Sequence, residues 1–356
     1  MLAASLVTLG SPEQLTGGYL YHRRLAELAP RHDAHLDLLA VPALPFPLPA
    51  AVAGRAVRRA AHADVLVVDS IAAAFVAPWC PFRRRSAGSL QSRPLAAMLH
   101  QPPGGIDHGP QRRAVQAALD RALYRRCDLL MLASETLTAE MSGFATVVVA
   151  PGRDVADRPS GPPIDLRQGR HAALLSVGNW VARKGTLDLL EAFVRLPPNL
   201  ATLHLVGRTD VDRRYASRVR ARVARPDLRG RVVVHGPVTR DEVAGLYQCA
   251  DVFVLPSYRE PYGTVYGEAM AAGLPVVGWR AGNLPSLAAN GREGLVLEPG
   301  DVAGLSSALE RLAEDADFRE RLAAAALERG RHLPTWNDTA RRFFGLLREL
   351  VDAGGR

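Results

Sequence analysis

Short apolar runs alternate with helical patterns along the whole chain. Continuous apolar strands separated by helices are typical of parallel sheets that are covered on both faces. The pattern therefore predicts an α/β fold with two tandem, Rossmann-like, doubly wound domains. The predicted strands are Ser5–Leu9, Leu36–Val41, Val65–Val68, Leu95–Leu99, Leu129–Leu132 and Thr146–Ala150 in the first half, and Ala173–Val177, Thr202–Val206, Val232–His235, Val252–Leu255, Val276–Trp279 and Leu295–Leu297 in the second.

The two sets of strands are separated by a stretch of different composition. Residues 156–168 are rich in Pro, Gly, Asp and Arg and lack apolar periodicity, which indicates a linker. We expect a first domain over 1–155, a second over 169–333, and a terminal helix within 334–356. Ligands of doubly wound domains bind at the carboxyl ends of the strands. Two such domains facing across a cleft would therefore bind their ligand in that cleft.

Composition narrows the class of ligand. The formal net charge is +8 and the pI is about 9.9, which suits an anionic ligand or an anionic membrane surface. The aromatic share of 6% argues against nucleic-acid recognition by base stacking. Three scattered cysteines indicate a reducing compartment. No apolar stretch is long enough to span a membrane and no signal peptide is evident, so we expect a cytoplasmic protein.

Two glutamates eight residues apart carry the strongest chemical signal. Glu260 lies in the glycine-containing loop after the predicted strand Val252–Leu255, and Glu268 lies in the helix that follows. A strand, loop and helix start in this order point backbone N–H groups and the positive end of a helix dipole at an anion such as a diphosphate. Carboxylates repel phosphate but accept hydrogen bonds from sugar hydroxyls. The segment therefore predicts a nucleotide-sugar site.

This arrangement resembles the E-x7-E motif of retaining glycosyltransferases of family 4, which have the GT-B fold. The similarity extends upstream to Leu174–Gly185 and downstream to Ala272–Val277. The resemblance implies that Glu260 contacts the transferred sugar and Glu268 the ribose. It also implies retention of anomeric configuration, no obligatory metal or cofactor, and a terminal helix that crosses back onto the first domain.

The second half also supplies candidate groups for the diphosphate. Arg183 and Lys184 are predicted in a loop before a helix at Thr186, and Lys184 is the single lysine of the chain. Fixed cations there would stabilise the negative charge that grows on the leaving nucleoside diphosphate. The remaining candidate donor-binding residues of this half are Gly178, Tyr262, Gly263 and Thr264.

The first half matches the family more weakly, through Thr16-Gly17-Gly18 and His100. Gly17 and Gly18 are predicted in the loop before a helix that starts at Tyr19, where glycine permits positive φ and close approach to a ligand. His100 ends the predicted strand Leu95–Leu99. The resemblance implies that this histidine, a candidate catalytic residue, lies beside the transferred sugar.

Two further patterns in the sequence bear on metal binding and on membrane contact. The histidines show no HExxH or similar pairing, so no metal centre is predicted. The segment from Trp79 to Arg85 combines aromatic and basic residues. This segment is either a solvated loop or a contact with an anionic membrane. In the second case the protein would be a peripheral protein on the inner face of the membrane.

The sequence thus predicts a retaining hexosyltransferase that uses a UDP- or GDP-linked sugar and an acceptor hydroxyl of unidentified origin. A nucleotide-sugar epimerase of the same architecture is the first alternative, and incubation of the donor alone would reveal it. A non-catalytic protein that binds nucleotide-sugars or nucleic acid is the second. The low aromatic content argues against its nucleic-acid form.

Overall fold

The computed structural model describes residues 1–11, 17–80, 93–154, 164–261 and 263–354. Within this part the chain divides into two units, Met1–Gly152 with Pro334–Arg356, and Arg153–Leu333. Each unit contains one parallel sheet of six strands. Part of the predicted linker, residues 156–163, lies outside the described residues.

The sheet of the first unit has the strand order β2-β1-β3-β4-β5-β6. Strands β3 and β4 are buried along their whole length, as their continuous apolar sequences predict. The strands are β1 Leu2–Leu9, β2 Ala34–Val41, β3 Val65–Asp69, β4 Leu95–Leu99, β5 Leu129–Leu132 and β6 Thr146–Val148. The helices are α1 Gly17–Leu28, α2 Pro49–Arg59, α3 Ala73–Val76, α4 Pro110–Tyr124, α5 Thr136–Glu140 and, from the end of the chain, α13 Trp336–Gly354.

The sheet of the second unit has the order β12-β11-β10-β7-β8-β9. Its two faces carry separate apolar clusters, one around Phe193 and Trp279 and the other around Phe253 and Tyr266. The strands are β7 Ala172–Val177, β8 Ala201–Val206, β9 Val232–Gly236, β10 Val252–Val254, β11 Val276–Trp279 and β12 Gly294–Leu297. The helices are α6 Thr186–Phe193, α7 Arg213–Val223, α8 Arg240–Cys249, α9 Thr264–Ala271, α10 Leu284–Leu287, α11 Val302–Glu314 and α12 Ala316–His332.

Both strand orders contain a point where the direction of winding reverses. In the first unit β1 pairs with β2 on one side and β3 on the other, and in the second unit β7 pairs with β10 as well as β8. Loops that leave neighbouring strands in opposite directions open a crevice at the carboxyl ends of those strands. The described residues just beyond β1 and β3, and those just beyond β7 and β10, therefore lie at the two crevices.

All twelve predicted runs are strands, and the prediction of two doubly wound sheets is confirmed. The terminal helix runs from Trp336 to Gly354 and packs on α1 of the first unit. One prediction about the first unit is wrong. Gly17 and Gly18 lie in the first turn of α1 rather than in a loop before Tyr19, and neither has positive φ.

Candidate functional site

The loop after β7 places two cations at the winding reversal of the second unit. After Gly178 the chain forms a short 3-10 turn over Ala182–Lys184 and enters α6 through Gly185. Gly185 has φ 68°, and a Cβ atom there would lie 2.0 Å from the carbonyl oxygen of Pro256. Glycine is required at this position because the loop after β7 packs directly against the loop after β10.

Three charged side chains meet where these loops touch. The Lys184 ammonium donates a hydrogen bond to Glu260 Oε2, and Arg183 Nη1 lies 3.8 Å from the same oxygen. The exposed fractions are 10% for the Lys184 side chain, 12% for Glu260 and 25% for Arg183. Such limited contact with water strengthens the electrostatic interaction of these groups with each other and with any anion nearby.

Backbone contacts fix the position of these charges. The carbonyl oxygen of Arg183 accepts hydrogen bonds from Tyr258 N at 2.8 Å and from Ser257 Oγ at 3.1 Å. Asn283 N donates to the carbonyl oxygen of Glu260 at 2.9 Å. Sequence reasoning missed Ser257 and Asn283, although Ser257 is a polar residue just beyond the end of β10. Together these contacts tie the loops after β7, β10 and β11 into one platform.

Helix α9 begins directly after this platform. Gly263 is its N-cap residue with φ 73°, and Thr264 and Val265 are in its first turn. The N–H groups of a first turn have no acceptor within the helix and carry the positive end of the dipole. This end of α9 can therefore bind an anion. Tyr262, another predicted donor-binding residue, lies outside the described residues.

Glu268 is held one turn further along α9. Tyr247 Oη lies 3.3 Å from Glu268 Oε2 and 3.3 Å from the carbonyl oxygen of Val265. Burial, with the Glu268 carboxylate beside it, raises the pKa of Tyr247 well above its ordinary value. Tyr247 therefore stays a neutral phenol that can donate to Glu268 and orient it. Nothing in the sequence around Tyr247 pointed to this contact.

In the first unit, three buried polar residues converge at the carboxyl ends of the strands. His100 follows β4, Asp69 ends β3, and His22 lies on α1 one turn after Gly18. The Nε2 atoms of the two histidines are 2.7 Å apart, and Asp69 oxygens lie 3.7 Å from His22 Nε2 and 3.9 Å from His100 Nε2. Asp69 accepts a hydrogen bond from Thr8 Oγ1 at 2.7 Å. Sequence reasoning missed His22 and Asp69, although Asp69 is polar at a strand end.

Burial keeps both imidazoles uncharged. Desolvation lowers the pKa of His100 to about 3, with Asp69 opposing and His22 adding to the effect. Desolvation also lowers the pKa of His22, again opposed by Asp69. A neutral pair explains the short distance between the rings, because one nitrogen can then donate a hydrogen bond to the other.

The same three residues are the group in the described chain whose ligand atoms lie close enough to hold a metal, all within 4.8 Å of one another. Two nitrogen ligands of a tetrahedral zinc, each 2.0–2.1 Å from the ion, are about 3.3 Å apart. The 2.7 Å between His22 and His100 fits a hydrogen bond and is too short for that geometry.

Gly18 brings α1 close to this cluster. A Cβ atom at Gly18 would lie 3.8 Å from His100 Cδ2, which is ordinary van der Waals contact. Gly17 precedes it in the same turn, and Thr16, the first residue of that motif, is outside the described residues. Gly18 and His100 are thus neighbours in the first unit, as Gly178, Lys184, Arg183 and Glu260 are in the second.

Comparison with known proteins bears on both units. Residues 171–315 match the family model described as glycosyl transferases group 1. We call these 145 residues, about two fifths of the chain, the group 1 segment. The group 1 segment contains Gly178, Arg183, Lys184, Glu260 and Glu268, which the sequence alone had singled out.

Curated relatives align with part of the chain. A D-inositol 3-phosphate glycosyltransferase from Nocardioides sp. is 40% identical over 112 residues, 32% of this chain and 24% of that protein. A glycogen synthase from Mycobacterium tuberculosis is 32% identical over 250 residues, 66% of this chain and 58% of that protein. The chain thus spans about a quarter to three fifths of the length of these relatives.

Solved structures match nearly the whole chain. A sucrose-phosphate synthase from Thermosynechococcus elongatus has a TM-score of 0.82 at 21% identity, over 99% of this chain and 100% of that one. HepE of Anabaena, in complex with UDP and glucose, has a TM-score of 0.79 at 20% identity, over 98% and 100%. The fold that the chain shares with these proteins is GT-B.

Proposed function

We propose that the chain is a retaining glycosyltransferase, which transfers a hexose from a nucleoside diphosphate sugar to an acceptor hydroxyl. The observation that carries this proposal is the cluster of Lys184, Arg183 and Glu260 beside the N-terminus of α9. Within a group 1 segment, this cluster offers positive charge for a diphosphate and a carboxylate for sugar hydroxyls.

The chemistry assigned to each residue follows from its charge and position. The bond between the anomeric carbon and the diphosphate oxygen breaks, and the acceptor oxygen bonds to the same face of the sugar. Lys184, Arg183 and the first-turn amides of α9 stabilise the negative charge on the departing diphosphate. Glu260 accepts hydrogen bonds from the sugar, and Glu268, oriented by Tyr247, accepts those of the ribose. The described residues supply no carboxylate that we can assign as a nucleophile, so we favour front-face departure.

UDP-sugars are the first donors to test. HepE, whose structures hold UDP and UDP-glucose, supports uridine over guanosine as the base. The proposal requires neither a metal ion nor a cofactor, since Lys184 and Arg183 supply the positive charge. Transfer is therefore expected to be unchanged by EDTA, and loss of transfer that Mg²⁺ restores would contradict this part.

A thermal-shift panel of UDP-, GDP- and ADP-sugars tests the proposal at the level of binding. A ligand that binds only the folded protein raises its melting temperature by mass action. We expect a concentration-dependent rise with one nucleotide class and loss of that rise in Lys184→Ala. Product analysis with the stabilising donor then separates transfer to an added acceptor from epimerisation of the donor alone. No stabilisation by any nucleotide-sugar would overturn the proposal.

We also propose that the first unit contacts an anionic membrane. Every helix in the described part of the chain is too short or too polar to cross a bilayer. However, five of the ten large apolar side chains that are exposed in this part lie just before α2, in the turn that ends at Trp79, or on α4, and α2, this turn and α4 all pack on α3. We call them, with five exposed arginines of α2 and α4, the arginine-rich apolar face: Leu44, Leu48, Trp79, Val115 and Leu119, with Arg55, Arg58, Arg59, Arg112 and Arg113.

The positive charge of the arginine-rich apolar face favours an anionic partner. Residues 38–63 and 70–106 contain no Asp or Glu. The Arg58 guanidinium lies 5.9 Å from the Trp79 ring centre, and that of Arg112 lies 5.1 Å from the Phe46 ring. Arginines stacked on aromatic rings beside exposed Leu and Val side chains match anionic headgroups above an acyl layer. Residues 81–85 of the predicted patch from Trp79 lie outside the described residues.

Flotation with vesicles tests this contact. We expect binding to vesicles that contain anionic phospholipid but not to vesicles of neutral phospholipid. Replacement of Arg55, Arg58 and Arg59 by Glu is expected to abolish binding. The same charge change on α7, at Arg213, Arg214 and Arg218, is the matched control and should retain it. Equal loss in both triple variants, or self-association through the face, would contradict the membrane contact.

A further inference from the structure

The buried contact between His22 and His100 has a direction that the surrounding residues determine. This inference rests on the proposed function and on the expectation, from the family resemblance, that His100 lies beside the transferred sugar. The two Nε2 atoms are 2.7 Å apart, so one of them carries a proton and donates a hydrogen bond, and the other accepts that hydrogen bond. Which nitrogen donates decides which tautomer His100 adopts, and hence what His100 can do to a ligand.

The environment of His22 indicates that His22 is the donor. His22 is fully buried, and no hydrogen-bond partner reaches its Nδ1 atom among the described residues. If His22 Nε2 accepted the hydrogen bond, the proton of the neutral His22 ring would be on Nδ1. The ring would then have a buried N–H group without an acceptor. Orphaned buried N–H groups are rarer than unsatisfied acceptors. The tautomer with the proton on Nε2 avoids this cost.

Asp69 favours the same assignment. Its Oδ2 atom lies 3.7 Å from His22 Nε2, and its carboxylate is held in place by Thr8 Oγ1 at 2.7 Å and Ser70 Oγ at 3.3 Å. Asp69 Oδ1 also lies 3.9 Å from His100 Nε2, so the carboxylate stabilises the proton between the rings on either nitrogen. The slightly shorter distance to His22 agrees with the assignment that the unsatisfied His22 Nδ1 atom indicates. The low pKa of His100, about 3, keeps its ring neutral as the acceptor.

We propose that Asp69 and His22 are positioning residues that hold His100 in the tautomer protonated at Nδ1. His100 Nε2 is then occupied as an acceptor, and Nδ1–H is the donor group of the ring. His100 consequently acts on a sugar as a neutral hydrogen-bond donor and not as a general base. This role suits a reaction in which the departing phosphate, rather than a side chain, takes the acceptor proton.

The decisive experiment is long-range ¹H–¹⁵N correlation NMR of the protein labelled at histidine, without any substrate. This measurement distinguishes protonated from unprotonated ring nitrogens. We expect His100 to be protonated at Nδ1 and His22 at Nε2. His204 and His235 form the matched control, because His204 Nε2 donates to the carbonyl oxygen of Leu166 at 2.8 Å, which fixes its tautomer. A His100 protonated at Nε2 would overturn the proposal.

Substitutions at His22 add a kinetic readout. His22→Gln keeps a donor, whereas His22→Leu removes it at similar volume. We expect kcat to fall about 10- to 100-fold in His22→Leu, the range for lost partners that orient a histidine ligand, with KM for the donor changed less. His22→Gln should restore most of kcat. Equal losses in both variants, with unchanged His100 tautomer, would show that His22 does not act through the tautomer.

Zinc provides the last control. If Zn²⁺ added to the EDTA-treated protein shifts both Nε2 resonances with micromolar affinity, the cluster is a metal site and the tautomer assignment is wrong. We expect no such shift, given the 2.7 Å between the nitrogens. Because the tautomer is measured without donor or acceptor, absence of glycosyl transfer would count against the proposed function and leave this assignment standing.

Discussion

Both units place polar residues at the carboxyl ends of their strands, but the residues of the second unit are charged and the two histidines of the first are neutral. In the second unit, Lys184, Arg183 and Glu260 are charged and partly reached by water. In the first unit, burial holds the pKa values of His22 and His100 below the ordinary range, so both rings are neutral. This contrast agrees with the proposal that the second unit binds an anion and that the first offers hydrogen bonds without adding charge.

The largest effect is expected from removal of the charged cluster. Lys184→Ala and Glu260→Gln should each lower kcat/KM about 100- to 1000-fold, because each removes a fixed charge or acceptor at the reacting centre. Steady-state kinetics with the donor identified by thermal shift would measure this loss. The control is Glu298→Gln, which affects an exposed ion pair with Arg280 in the same unit. Wild-type rates in both site variants would refute the site assignment.

The platform beneath that cluster is expected to be intolerant of a single methyl group. Gly185→Ala places a Cβ atom against the Pro256 carbonyl at positive φ, and we expect it to lower the free energy of unfolding by about 3 kcal/mol. Gly230→Ala is the matched control, since Gly230 has φ 69° but open space around the position of its Cβ. It should cost about 1 kcal/mol. Urea denaturation giving equal losses would show that the two loops need not touch.

Burial in the first unit predicts a pH effect on stability. Asp120 accepts a hydrogen bond from Gly104 N at 2.8 Å, and desolvation raises its pKa from 3.8 to about 7. The folded protein therefore binds a proton that the unfolded chain releases, and wild-type stability falls as pH rises from about 4 to 7. Relative to wild type, Asp120→Asn should gain about 2 kcal/mol between pH 5 and pH 7. Parallel pH curves for the two proteins would contradict the raised pKa.

The smallest effect concerns the support of Glu268. Tyr247→Phe removes the phenol that lies 3.3 Å from the Glu268 carboxylate, and it should raise KM for the donor about 3- to 10-fold with little change in kcat. Tyr215→Phe, at a buried tyrosine that accepts a hydrogen bond from Leu187 N, is the control. An unchanged KM in Tyr247→Phe would mean that Glu268 is oriented by other contacts.

The fold was accessible from sequence because continuous apolar runs mark buried parallel strands. Ends were less accurate: β1 begins at Leu2 rather than Ser5, and β6 ends at Val148 rather than Ala150. The sequence around Leu2 and Ala4 shows no clear pattern of strand or helix. The start of β1 is instead decided by the pairing of these residues with β2. The helix that starts at Gly17 was placed two residues late because glycine is a weak helix former.

The two candidate sites differed in how much the sequence could reveal. In the second unit the polar residues are grouped into two short segments, 178–185 and 260–268, so a local pattern exposes them. In the first unit, His22, Asp69 and His100 come from three distant segments and meet only after the strands pair. The spacing of residues within one short segment cannot predict such contacts. His100 alone was visible, as a polar residue at a strand end.

A crystal structure of the protein with UDP or GDP bound is the most direct test of the central claim. The account predicts that the diphosphate lies against the first-turn amides of α9, with Lys184 or Arg183 within hydrogen-bond distance and Glu268 on the ribose. A nucleotide bound away from residues 183–185 and 260–268 would contradict it.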